Sequence, residues 1–166
     1  MTLAAWHTAK TVALFRSLRD EVDTAALVDD ARRRGATVCL PVVVDGRPEL
    51  ELRAAWRGDQ TWPLEAGVWG IEEPVAGAPV VPYDSVDLIV VPCLAIDPSG
   101  QRLGYGRGYY DRTLCLTTRA VSVAVAFDFQ LVAEIPCEAH DVAVDWVVTD
   151  TRTLRAQSEG RETPEK

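Results

Sequence analysis

The sequence predicts an α/β fold whose parallel sheet is covered on both faces. Two near-continuous apolar runs and one strand-to-helix unit carry that prediction. The runs are Asp87-Leu-Ile-Val-Val-Pro92 and Ala120 to Phe127; a strand that is apolar at nearly every position, instead of every second one, is buried on both sides. The unit begins with Thr11-Val-Ala-Leu-Phe15, β-branched and aromatic as a strand requires. A helix follows that Asp23 or Thr24 can cap, that carries Ala26, Leu27 and Ala31 on one stripe, and that Gly35 stops after Arg34.

The remaining elements fall between these. Thr2 to Ala9 has room for at most two helical turns before the first strand. Thr37 to Val44 reads as the next strand, and Asp45-Gly46 is a turn signal leading into alternating Glu49 to Ala54, an antiparallel hairpin. From Arg57 to Pro82 the chain is rich in Gly, Pro and Trp without periodicity; an ordered loop region is expected, with Trp62 and Trp69 packed inside it. A helix starts at Tyr109 and runs to Thr117, and a last strand spans Ala143 to Thr149. The predicted order is β-α-β-β-(loop)-β-α-β-β, in one domain over residues 1–150. Residues 151–166 turn polar and charged and are expected to be a disordered tail.

Composition narrows the function. At 166 residues the chain fits one domain. Its formal net charge of −8 argues against nucleic acid as a partner, since phosphate-backbone binding needs a basic face. The longest apolar runs are too short to span a bilayer, and no basic-then-apolar leader opens the sequence, so no membrane association and a cytoplasmic location are expected. Cys39, Cys93, Cys115 and Cys137 form no C-x-x-C pair and are expected to be reduced, structural thiols; His7 and His140 stand alone.

The chemistry concentrates in Arg102-Leu-Gly-Tyr-Gly-Arg-Gly-Tyr-Tyr-Asp-Arg112. Glycines at 104, 106 and 108 let a backbone lie against a ligand and leave positive φ open. Two arginines, Arg102 and Arg107, offer forked donors for phosphate oxygens, Arg112 adds to the local positive charge, and Asp111 offers hard oxygen to a divalent cation. A phosphate here would meet the free N–H groups of the following helix. The spacing G-x-G-x-G is neither a P-loop nor a dinucleotide fingerprint, and taken alone it is more often a flexible strand-to-helix turn with solvated arginines.

The surrounding blocks make a resemblance specific. With Asp87-Leu-Ile-Val-Val-Pro92 before the glycine stretch, and Val125-Ala-Phe-Asp-Phe-Gln130 and His140-Asp-Val-Ala-Val-Asp145 after it, the chain resembles the 5-formyltetrahydrofolate cyclo-ligase family, also called methenyltetrahydrofolate synthetase. Glu21-Val-Asp-Thr24 and Trp69-Gly-Ile-Glu-Glu-Pro74 match two further family blocks in the right order, so the likeness extends over residues 11–150.

The resemblance implies a three-layer α/β sandwich with a mainly parallel central sheet. It also implies ATP- and Mg²⁺-dependent conversion of 5-formyltetrahydrofolate to 5,10-methenyltetrahydrofolate, with release of ADP and phosphate. Position by position, it assigns ATP binding to Arg102, Leu103, Gly104, Tyr105, Gly106, Arg107, Gly108 and Tyr109. It assigns catalysis to Arg102, Arg107 and Tyr110, recognition of the reduced folate to Glu21, Trp69 and Tyr110, and Mg²⁺ to Asp111 and Asp141. Without it, Glu21 reads as a turn carboxylate, Trp69 as core and Asp141 as a cap. The expected partners are the two small substrates, with the protein a monomer or weak homodimer.

Some positions depart from the family pattern. Members normally open with a long helix bearing a Lys and Arg pair, whereas this sequence reaches its first strand at Thr11 with only His7 and Lys10 before it, so a shortened N-terminus and weakened ATP binding are expected. Cys93 stands where glycine is usual, Ile96 where an aromatic is common, and Tyr105 where arginine is frequent. Two functions follow: an active cyclo-ligase, or a non-catalytic folate- or nucleotide-binding paralogue.

Overall fold

The computed structural model describes residues 3–18 and 20–156. The strands are β1 (Thr11–Ala13), β2 (Thr37–Val42), β3 (Glu51–Arg57), β4 (Gln60–Thr61), β5 (Leu64–Ala66), β6 (Glu72–Pro74), β7 (Leu88–Val91), β8 (Ala95–Ile96), β9 (Arg102–Leu103), β10 (Val121–Val125), β11 (Trp146–Val148) and β12 (Thr153–Arg155). The helices are α1 (Ala4–Thr8), α2 (Ala25–Arg33) and α3 (Tyr109–Leu116).

Eight strands form one sheet in the order β12-β11-β10-β7-β1-β2-β3-β4. The five from β11 to β2 are mutually parallel, while β3, β4 and β12 are antiparallel additions at the edges. Side chains alternate between two cores. Val12, Leu14, Val38, Leu40, Leu88, Val90, Val123 and Val125 pack on one face with Trp6 of α1 and Val28 and Ala31 of α2. Ala13, Cys39, Ile89, Val91 and Ala124 pack on the other with Leu114 of α3. Both faces are dry, which is why these strands read as continuous apolar runs. The result is the expected helix–sheet–helix sandwich.

Local chemistry sets the helix ends. Thr24 occupies the N-cap position of α2 but turns its hydroxyl away, donating to the Phe15 carbonyl; Asp23 Oδ1 accepts the Ala25 N–H instead. Gly35, at φ 74°, ends the helix as predicted. Trp6 Nε1 donates to Asp30 Oδ2 at 2.8 Å, pinning α1 to α2.

Three expectations need correction. The disorder expected from residue 151 does not hold over the first residues of that segment, because Thr153–Arg155 pairs antiparallel with β11; residues 157–166 lie outside those described. The Asp45-Gly46 signal gives a turn, with the Arg47 N–H donating to the Val44 carbonyl, but the paired strands begin only at Val42 and Glu51, so the hairpin loop is longer than a tight two-residue turn. Trp62 joins the second core, whereas Trp69 is 60% exposed on a short 3₁₀ turn, Val68–Gly70.

Candidate active site at the sheet's switch point

The chain leaves β1 toward β2 on one side and later places β7 on the other side of β1. The helix after β1 covers one face of the sheet and the helix after β7 covers the opposite face. Loops leaving the carboxyl ends of β1 and β7 therefore diverge, and in an open α/β sheet that divergence forms the ligand crevice. Glu21 lies on the loop after β1; Cys93, the β8/β9 hairpin, the glycine stretch and Tyr110 follow β7.

Electrostatics places these groups in one neighbourhood. Burial holds the Tyr110 phenol well above its ordinary range, the charge of Glu21 raises it further, and Arg102 opposes the rise. Burial also pushes the Cys93 thiol up to about 11, with Arg102 lowering and Glu21 raising it. Tyr105 is raised first by burial, then by Glu21 and Asp20, so the glycine stretch faces the Glu21 loop. Glu21 itself is raised by burial, and its Oε2 accepts the Leu18 N–H at 2.8 Å. Tyr110 is thus a neutral donor at physiological pH, and burial disfavours the charged form of Glu21.

The glycine stretch starts immediately after β9. Gly106 and Gly108 take positive φ, 77° and 63°, while Gly104 does not, so the conformational freedom read from the sequence is used at two of the three positions. Leu103, Gly104, Tyr105, Gly106 and Arg107 are exposed, and Gly108, in the left-handed region, begins α3 without a side-chain cap. The first N–H groups of α3 are open to an acceptor.

Arg102 and Asp111 form the best-buried ion pair near the loop. Arg102 is only 5% exposed; its Nη2 donates to Asp111 Oδ1 at 2.7 Å and its Nη1 to the Val142 carbonyl at 2.6 Å. Asp111 Oδ1 also accepts the Val142 N–H at 3.2 Å. The segment bearing Asp141 is thereby brought against α3. Asp141 Oδ2 meanwhile accepts the Glu138 N–H at 2.7 Å, closing its own turn. Among the described residues no three His, Cys, Asp or Glu side chains group as a self-sufficient metal cage. Two carboxylates on touching segments suit a hard divalent cation that keeps waters and arrives with phosphate oxygens, so the donor set fits Mg²⁺.

Trp69 sits at φ 60°, ψ 16°, a left-handed conformation that a bulky residue adopts only under constraint. The Arg16–Glu72 ion pair ties the β1 loop to the strand after this turn, and a small groove there is lined by Arg16, Leu18, Gly70 and Ile71. A larger groove of about 550 Å³ opens beyond the end of β2, between Val42–Val44 and Gly67–Val68, with Arg53 and Glu73 in its lining. Glu73 is 8% exposed and lies so close over Gly67 that a Cβ there would meet its carboxylate.

Two positioning residues were not singled out from the sequence. Asp97, 2% exposed, accepts the Ser99, Gln101 and Ile135 N–H groups and so fixes the β8/β9 hairpin that delivers Arg102. Gln130 accepts the Phe127 N–H and donates to the Cys93 and Leu94 carbonyls, joining the ends of β10 and β7. Gln130 closes one of the blocks quoted above; Asp97 carried only the weak signal of an Asp-Pro-Ser-Gly turn.

Known proteins are similar to this chain in sequence and in fold. The chain is 38% identical over 151 residues to the 5-formyltetrahydrofolate cyclo-ligase of Mycolicibacterium smegmatis, covering 89% of this chain and 77% of that protein. It is 35% identical to the Escherichia coli K12 protein of the same name, covering 87% and 80%. Its fold is similar to the NMR structure of Aquifex aeolicus 5,10-methenyltetrahydrofolate synthetase, with a TM-score of 0.78, 34% identity, and coverage of 99% of this chain and 80% of that one. The model of the 5-formyltetrahydrofolate cyclo-ligase family matches residues 1–150, and the chain belongs to that family.

Proposed function

We propose that this protein is an enzyme that uses ATP and Mg²⁺ to cyclise 5-formyltetrahydrofolate to 5,10-methenyltetrahydrofolate. The observation that carries the proposal is the mutual electrostatic influence of Glu21, Tyr110 and Arg102, on segments that follow β1 and β7, in a chain from this family. An N-formyl carbon is a poor electrophile because amide resonance feeds it electrons. Moving the γ-phosphoryl group of ATP onto the formyl oxygen, with ADP leaving, removes that protection. Folate N10 then attacks the carbon, the C–O bond breaks, phosphate departs with the former formyl oxygen, and N10 loses its proton.

Each role has a physical basis. The exposed stretch from Leu103 to Arg107, with Gly108 and Tyr109, supplies backbone donors and an arginine to the phosphate chain. Arg107 neutralises charge on the transferring group; Arg102, already held by Asp111, sets the field from below. Asp111 and Asp141 would hold Mg²⁺, which when bound neutralises phosphate charge. The neutral phenol of Tyr110 donates to the formyl oxygen. Glu21, whose carboxyl burial holds above its ordinary range, accepts from pterin N–H groups, and the exposed ring of Trp69 packs against the pterin.

The test is an ultraviolet assay for methenyl-folate with purified protein, 5-formyltetrahydrofolate, ATP and Mg²⁺. Product formation that stops when ATP or Mg²⁺ is withheld supports the proposal. Calorimetric folate binding with no product would replace it with a non-catalytic folate-binding role.

A further inference from the structure

We propose that Arg112 is a positioning residue that holds the glycine stretch in its anion-accepting conformation, without itself contacting phosphate. This rests on the ATP role proposed for that stretch. Arg112 stands in the sequence context of a phosphate ligand, yet its guanidinium is engaged by two backbone carbonyls of the protein itself. Nε donates to the carbonyl of Pro48, in the β2–β3 loop, and Nη2 donates to the carbonyl of Arg107. Its plane also lies 5.8 Å from the centre of the Tyr109 ring. One side chain therefore clips the middle of the glycine stretch to a neighbouring loop.

The clip has a stereochemical consequence. A trans peptide is rigid and its C=O and N–H point in opposite directions. Gripping the Arg107 carbonyl therefore turns the Gly108 N–H away from Arg112, adding it to the open N–H groups at the start of α3. The Arg112 N–H donates to the Gly108 carbonyl, so both faces of residue 108 are fixed by Arg112. Glycine is favoured at 108 because its φ is 63°, and a Cβ there would sit 2.9 Å from Arg112 Nη1 and displace the end of that side chain. A second support anchors the same loop: the Leu50 N–H donates to Thr113 Oγ1 at 3.0 Å, so the β2–β3 loop is a fixed post instead of a second moving part.

The experiment compares the parent with Arg112→Ala, Arg112→Lys and Gly108→Ala, reading Michaelis constants for both substrates and amide hydrogen exchange over residues 104–108. Because Arg112 is exposed, its truncation leaves the cores untouched. Arg112→Ala is expected to raise the KM for ATP by at least about tenfold, the worth of one charge-assisted contact. The KM for the folate should stay within about twofold, and exchange in the glycine stretch should accelerate. Added guanidinium ion should recover part of the ATP effect. Arg112→Lys, a point donor in place of a fork, should fall between parent and Ala. Gly108→Ala should reproduce the Arg112→Ala pattern, and the double variant should be no worse than either. Unchanged ATP KM, or an equal rise in both constants, would overturn the proposal. If the parent shows no ATP-dependent turnover, the functional proposal fails by itself. The exchange measurement still decides the clip: equal exchange in parent and Arg112→Ala refutes it.

Discussion

Replacing Asp111 with Asn keeps the size of the side chain and an oxygen to accept the Val142 N–H, but removes the charge opposite Arg102. The guanidinium is 5% exposed and Asp111 20% exposed, so the pair is largely out of water and the orphaned cation cannot rehydrate without moving. Breaking a buried pair by removing one partner costs about 3 to 5 kcal/mol, and the partial exposure of Asp111 reduces that to about 2 to 4 kcal/mol. For a chain of this length each kcal/mol shifts Tm by about 2 to 4 °C, so Asp111→Asn should melt at least about 4 °C below the parent. Loss of turnover in this variant is therefore ambiguous unless it is assayed well below its own melting point. Urea unfolding of Asp111→Asn, Arg102→Met and the double variant separates the contributions, and the double variant should recover stability relative to the sum of the singles. Additive singles, or a Tm within about 1 °C of the parent for Asp111→Asn, would refute the coupling of these two residues.

Further outcomes follow from burial and backbone geometry. Glu21 has a folded-state pKa raised above its ordinary 4.5, so the stability linked to its proton is full below that value and is lost as pH rises through the folded value; Glu21→Gln should therefore unfold at higher urea than the parent at neutral pH, with the difference vanishing at acid pH, while its folate affinity falls. Trp69→Gly should be more stable than Trp69→Ala by about 1 kcal/mol, because the position is left-handed, and both should raise the folate KM; equal stabilities would argue against the strained turn. Cys115 and Cys137 are exposed whereas Cys39, held up to about 12 by burial, and Cys93 are not, so a thiol reagent at neutral pH should modify the first two in the native protein and all four only after unfolding.

The parts of the fold legible in the sequence are those where both faces of an element are dry. Leu88–Val91 and Val121–Val125 announce themselves because both sides are buried and all but Ser122, whose hydroxyl is satisfied by Asp145, are apolar. α2 was bounded by Asp23, Thr24 and Gly35, whose local chemistry is independent of the rest of the chain. β12 was missed because only Leu154 of its three residues is apolar and faces a core, as suits an edge strand. β8 and β9, at two residues each, are too short to show a period.

The candidate site was legible as residues but not as geometry. The glycine stretch and its flanking blocks identified the family, yet nothing local says that Arg102 spends both terminal nitrogens on Asp111 and Val142, nine and forty residues away. Glu21 and Tyr110 meet only because β1 and β7 are neighbours in the sheet, a long-range pairing that periodicity does not encode. Trp69 was expected to be packed because it is large; its exposure is set by a backbone conformation that composition does not reveal.

The fate of the formyl oxygen tests the phosphorylated-formyl route most directly. With 5-formyltetrahydrofolate labelled with heavy oxygen in its formyl group, the phosphorylated-formyl route predicts one phosphate released per methenyl-folate formed, with that phosphate carrying the label. Methenyl-folate formed with the label in water, or without equivalent phosphate release, would contradict it.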